Sequence, residues 1–181
     1  IVRHLKQLGD SEKARFLQGF FKTGPGQYGE GDVFVGVRVP MTRKLARQYR
    51  DTPLPQVAKL LTSKYHEARL LALFIMVDQF KRGDPPTQKL IYEVYRSHLR
   101  CINDGDLVDG SAGYIVGGYL VNRSRKPLIQ LASSPNLWRR RVAIMATLHF
   151  IQHRDFDDTL RFADMLLRDE HDLIHKAVGW M

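Results

Sequence analysis

Residues 106–120 read DLVDGSAGYIVGGYL, and the four-residue phrase that opens them returns twice, as Asn136-Leu137-Trp138-Arg139 and Asp172-Leu173-Ile174-His175. The copies begin at 106, 136 and 172, and each leads into small and apolar residues. Asp or Asn at the head of each phrase suits a helix N-cap, because its side-chain oxygen can accept from the free N–H groups of the first turn. Each phrase therefore predicts a helix start, with Asp106, Asn136 and Asp172 as the caps.

Amphipathic stretches precede the later copies, PLIQLASS at 127–134 and TLRFADMLLRD at 159–169. An earlier pair, VAKLLTS at 57–63 and HEARLLALFIMVDQF at 66–80, has the same shape. Pro40, Pro53, Pro55, Pro85, Pro86, Pro127 and Pro135 fall at the joins, where turns and first helical positions tolerate a missing N–H. No run alternates as a strand would. Helix pairs recurring every 30–40 residues or so predict an all-α fold, an α-α superhelix (solenoid) of HEAT-like repeats with a concave face for an extended ligand. The stretch FFKTGPGQYGEGDVF at 20–34 reads as a connector between two helices, and its scattered glycines match neither phosphate-binding fingerprint.

Composition narrows the partner. The 181 residues suit a single domain, and the longest apolar run, Leu70 to Val77, is far too short to cross a bilayer. Ile1-Val2-Arg3-His4 does not open a signal peptide, so a cytoplasmic protein without membrane attachment is expected. The single Cys101 excludes an internal disulfide. A net charge of +9 and a pI near 9.8 point to an anionic partner, nucleic acid first. The charge is also local: no Asp or Glu lies between Gly110 and Arg154, where Arg123, Arg125, Lys126, Arg139, Arg140, Arg141 and Arg154 all fall.

Against that background the acids at 104, 106 and 109 stand out. A carboxylate facing a phosphate backbone is repelled, so it is structural or catalytic. Asp106 aligns with Asn136 and Asp172 and is accounted for as a cap; Asp109 aligns with Arg139 and His175, and the repeat does not need it. Arg139, Arg140 and Arg141 follow one another on a helix, where successive side chains fan around the axis, so one or two can meet a phosphate. Trp138 reads as core, and Trp180 fits core or surface equally. His171 and His175 have the spacing of a metal pair, but no HExxH pattern or Cys cluster accompanies them and no metal is expected.

FVGVRVP at 34–40, DLVDGSAGYIVGGYL at 106–120, NLWRRRVAI at 136–144 and DLIHKAVGWM at 172–181 together resemble the bacterial DNA alkylation repair family, the AlkD-type DNA glycosylases, from about Phe20 to the last residue. The resemblance implies HEAT-like repeats with a basic concave face for duplex DNA, and excision of cationic N3- and N7-alkylated purines, such as 7-methylguanine and 3-methyladenine, without metal or cofactor. It places the catalytic carboxylate on Asp109, a DNA-contacting arginine on Arg141 beside Arg140 and Arg139, and one lesion-flanking Trp on Trp180. The second such Trp is replaced by Gly105, a departure that weakens the expectation of activity and leaves a non-catalytic DNA-binding repeat protein as the alternative; a solenoid binding an acidic protein is a third reading. The family pattern also implies further helices beyond Met181, so residues 1–181 read as one repeat domain lacking its C-terminal helices. A DNA-clasping solenoid needs no second copy, and a monomer is expected.

Overall fold

The computed structural model describes residues 1–181 and is all-helical, an α-α superhelical repeat. Its helices are α1 (Val2–Gln7), α2 (Ser11–Phe20), α3 (Val39–Gln48), α4 (Leu54–Leu61), α5 (His66–Arg82), α6 (Pro85–Ser97), α7 (Gly105–Asp109), α8 (Gly118–Leu120), α9 (Lys126–Ala132), α10 (Leu137–Ala146), α11 (Leu148–Gln152), α12 (Asp157–Leu166) and α13 (Asp172–Trp180), with a 3₁₀ turn at Leu99–Cys101 and a π turn at Gly113–Gly117. The extended pairing is one isolated bridge between Val33 and Tyr65. No helix is long and apolar enough to cross a membrane.

Two helices organise the rest. The run from His66 to Val77 on α5 is buried on every side, and seven residues of α10, from Trp138 to Ala146, are buried likewise. A helix apolar all round must be enclosed. α3, α4 and α6 pack around α5, while α9, α12 and α13 pack around α10. α7 and the π turn touch both inner helices and so join the two halves. The close approach there is set by Gly117, where an added Cβ would stand 2.2 Å from the carbonyl oxygen of Ala146.

The amphipathic stretches lie where their periodicity places them, on α4, α5, α9 and α12. The caps do not. Asn136 caps α10, accepting from Arg139 N–H at 3.1 Å, but α7 is capped by Asp104, which accepts from Gly105 N–H at 2.6 Å, and α13 by His171 Nδ1. Asp106 and Asp172 each sit inside the first turn because other partners hold their oxygens: His66 for the first and Lys176 for the second.

Residues 21–38 connect α2 to α3 without regular structure, as the glycines foretell. One buried carboxylate shapes the end of this connector. Glu67, in the first turn of α5, accepts from the N–H groups of Val35 (2.9 Å), Gly36 (2.7 Å) and Val37 (3.2 Å). Gly36 is required here twice over, by its φ of +87° and by the carbonyl oxygen of Asp10, 2.0 Å from any added Cβ. Glu67→Ala leaves buried donors without an acceptor, each worth about 1–3 kcal/mol. Urea denaturation should show a loss of about 3 kcal/mol or more, with Glu67→Gln intermediate; a loss below about 1 kcal/mol would show that the connector does not rely on this carboxylate.

Candidate functional site

α7 presents its acids to a cleft of about 670 Å³, lined by residues of the α2–α3 connector, α7, α10 and α13. Asp109 closes one side. Its Oδ1 and Oδ2 accept from Arg141 Nε and Nη2, both at 2.8 Å, in a two-point fork that fixes the carboxylate plane. Arg141 is buried and also donates from Nη1 to the carbonyl oxygen of Leu173, tying α10 to α13. Asp109 keeps about a quarter of its side chain exposed (24%), so it is held rigidly yet remains accessible.

The wall of the cleft is aromatic and cationic. Phe20, Phe21, Tyr28 and Trp138 line it, with Tyr28 and Trp138 in an edge-to-face contact at 5.8 Å between centroids. Lys22 lies over the Tyr28 ring, and Lys176 lines the opposite side. Gly105 also faces this space: a Cβ added there would meet nothing within 4 Å. Trp138 is core apart from its edge, at 6% exposure, whereas Trp180 is 62% exposed one helical turn beyond Lys176.

The three consecutive arginines part company. Arg141 enters the cleft; Arg140 pairs with Asp169 at 2.6 Å and donates to the carbonyl oxygens of Ser134 and Pro135; Arg139 is exposed and lines a separate groove with Arg96 and Gln130. Arg125 is also consumed internally, by Asp155 and Asp158. Of the cations in the acid-free stretch, Arg123, Lys126, Arg139 and Arg154 carry no ion pair.

Behind α7 lies a charge network that sequence spacing does not reveal. His66, 1% exposed, has Nδ1 at 3.0 Å from Asp32 and Nε2 at 2.9 Å from both oxygens of Asp106. Arg69 donates to the same Asp32 at 2.5 Å. Burial works against charge on His66, but the hydrogen bonds to Asp106 and Asp32 prevail and raise its pKa to about 9. Asp32 is buried too, yet the bonds from His66 and Arg69 hold its carboxyl below the usual value. Asp104, buried and with Oδ2 lacking any partner, is pushed up to about 7, chiefly by burial, with the charge on His66 opposing. Charge balance agrees: two cations, His66 and Arg69, face two anions, Asp32 and Asp106, so a third negative charge at Asp104 would be unbalanced.

A histidine whose pKa rises on folding adds stability that is whole below about 6.5 and is lost as pH rises through about 9. The stability gap between the parent and His66→Gln, measured by urea denaturation, should be largest at and below about pH 6.5 and should shrink between about pH 6.5 and 9. A gap that does not shrink over that range would show that folding does not raise the pKa of His66.

Comparison with known proteins follows the same geometry. The family model described as "DNA alkylation repair enzyme" matches residues 1–181. A search of curated proteins finds no match. Among solved structures the fold is similar to a "Predicted DNA alkylation repair enzyme from Enterococcus faecalis", with a TM-score of 0.63 at 16% identity, over 95% of this chain and 80% of that one. At that identity the likeness speaks for the fold, and the family rests on the whole-length match. The chain belongs to the DNA alkylation repair enzyme family.

Proposed function

We propose that the protein is a DNA glycosylase that excises cationic N3- or N7-alkylated purines, such as 3-methyladenine and 7-methylguanine, from duplex DNA and leaves an abasic site. Membership of the family supports a DNA repair role and DNA as the partner. The observation that carries the finer reading is the fixed, accessible carboxylate of Asp109 in a cleft walled by aromatic rings and flanked by Lys22 and Lys176.

An N7- or N3-alkylated purine already carries positive charge and departs as a neutral base. The bond from the anomeric carbon to the purine nitrogen breaks with its electron pair leaving on the base, and the sugar becomes oxocarbenium-like. A carboxylate placed nearby stabilises that charge without needing to donate a proton, and it can orient the water whose oxygen then bonds to the anomeric carbon. Arg141 serves this by preventing rotation of Asp109, while phosphates are held by exposed cations at the rim. The open cleft suits engagement from the sugar–phosphate side rather than a closed base pocket. Trp180 lies outside the lining of the cleft, one turn beyond Lys176, and its exposed ring is free to meet DNA bound there.

Asp109→Asn keeps shape but removes the charge, and single-turnover release of 7-methylguanine should fall by about 100-fold or more. Equal release by the two proteins would sink the assignment of Asp109. No release by the parent, with salt-dependent duplex binding intact, would favour the binding-only reading that Gly105 raises.

Gly105 supplies a second test in the opposite direction. Since nothing stands within 4 Å of an added Cβ, Gly105→Trp should be accommodated and bring a ring to the cleft. A cation–π contact with the sugar cation is worth about 1–2 kcal/mol, so release should quicken by about tenfold. A slower variant with unchanged stability would show that the open wall is needed for substrate entry.

A further inference from the structure

We propose that Asp106 is a second catalytic carboxylate of the cleft, taking up the attacking water, and that the buried ring of His66 is the positioning residue that holds it. The inference rests on the glycosylase reading and extends it from one carboxylate to two.

Asp106 and Asp109 lie three residues apart on α7, a spacing that puts both on one face, and both line the cleft. Asp106 is as accessible as Asp109, 28% exposed against 24%. They differ in how they are held. Two separate N–H groups of Arg141 occupy Asp109, one on each oxygen. Asp106 receives a single N–H, from His66 Nε2, at 2.9 Å from each oxygen. Both oxygens are engaged in each carboxylate, but Asp109 is saturated by two full N–H donors whereas Asp106 shares one N–H between its two oxygens, so each of its bonds is the weaker. Asp106 is the freer acceptor for water, and beside it the missing side chain of Gly105 leaves room for one.

A buried histidine at this place asks for a reason. His66 begins α5, yet its ring reaches neither a helix end nor solvent: Phe34 stacks on it at 4.5 Å and Phe21 leans on it at 5.1 Å. Its other nitrogen is bound by Asp32, which Arg69 holds in turn. The chain Arg69–Asp32–His66–Asp106 thus runs from the interior to the cleft and ends on a carboxylate that is open to it. The remaining charged groups around the ring are Asp104 below α7, Glu67, whose oxygens are turned to the N–H groups of residues 35–37, and Lys13 and Arg38 on the groove beyond the phenylalanines. In that setting the ring stays charged and its N–H stays directed at Asp106.

The division of labour follows. As the sugar–purine bond breaks, Asp109 faces the growing positive charge. A water held by Asp106 attacks the anomeric carbon; its oxygen forms the new bond, one proton passes to Asp106 and from there to solvent, and the electron pair of the broken bond leaves with the base. No oxidant, metal or cofactor enters the balance.

The experiment compares the parent, Asp106→Asn and His66→Gln in single-turnover release of 7-methylguanine from pH 6 to 10. Beside it, binding is measured to duplexes holding a cationic pyrrolidine or a neutral tetrahydrofuran in place of the sugar. Asp106→Asn should lower release by about 10–100-fold, keep affinity for undamaged duplex within about threefold, and weaken without abolishing the preference for the cationic over the neutral site, which Asp109 continues to support. His66→Gln, which can still donate to Asp106, should lower release less, and it should lack the parent's fall in rate above about pH 9. Release by Asp106→Asn within about twofold of the parent, or an alkaline fall unchanged in His66→Gln, would overturn the proposal. Should His66→Gln fail to fold, the His66 ring in Asp106→Asn is titrated by NMR, where its pKa should drop; no drop would remove His66 from the role. If the parent releases no base yet prefers the cationic site in a manner that Asp106→Asn weakens, the paired-carboxylate site stands while the glycosylase reading falls. If the parent shows no such preference, both fall.

Discussion

Arg141 is the tie on which the cleft depends. It is a buried guanidinium on an inner helix, and a buried charge is tolerated only when paired and hydrogen-bonded. Its partners are Asp109 of α7 and the backbone of Leu173 in α13, so satisfying one cation fixes three helices against one another. α7 has five residues, too few to persist as an isolated helix in water. It is a helix because Arg141 holds its last residue, His66 holds Asp106 and Asp104 caps its start. The acids that look out of place in a basic chain are the means by which α5 and α10 grip the segment between them.

How much of this the sequence discloses depends on the reach of each interaction. Apolar periodicity is local, and the stretches at 57–63, 66–80, 127–134 and 159–169 fall on α4, α5, α9 and α12. The caps show where local reading stops. Asp106 has the spacing of a cap, but its oxygens are claimed by a histidine forty positions earlier, and the cap passes to Asp104. The same limit applies to Glu67, whose neighbours in sequence say nothing of the backbone amides thirty residues before it. Helical geometry correctly predicts that Arg139, Arg140 and Arg141 diverge; it cannot predict that Asp169 takes one and Asp109 another. The signal that could have found His66 was in view, since a histidine opening an otherwise apolar buried helix needs polar partners.

The charge pattern also reads differently once folded. A run free of acids suggests a continuous positive surface, yet Arg125, Arg140 and Arg141 each meet a carboxylate from outside the run. Their role is to join repeats. Attraction to phosphate then falls to fewer, more exposed cations, among them Arg123, Lys126, Arg139 and Arg154, together with Lys22 beside the cleft. The net charge of +9 is undiminished by such pairing, so long-range steering toward a polyanion persists even where the contacts are few.

Gly105 poses the sharpest question about chemistry, because it removes a side chain from a place where the fold would accept one. Two consequences compete. An aromatic face there would add attraction to a sugar cation, on the order of 1–2 kcal/mol. Its absence leaves Asp106 open to solvent beside Asp109, and a carboxylate that must bind and discharge a water benefits from that access. A cleft without the ring relies more heavily on its carboxylates, and each of those is held by a buried side chain, Asp109 by Arg141 and Asp106 by His66. A buried ion-pair network is costly to desolvate, and here that cost is offset by what the network holds: through His66 it fixes Asp106, and with it the first turn of α7, at the edge of the cleft.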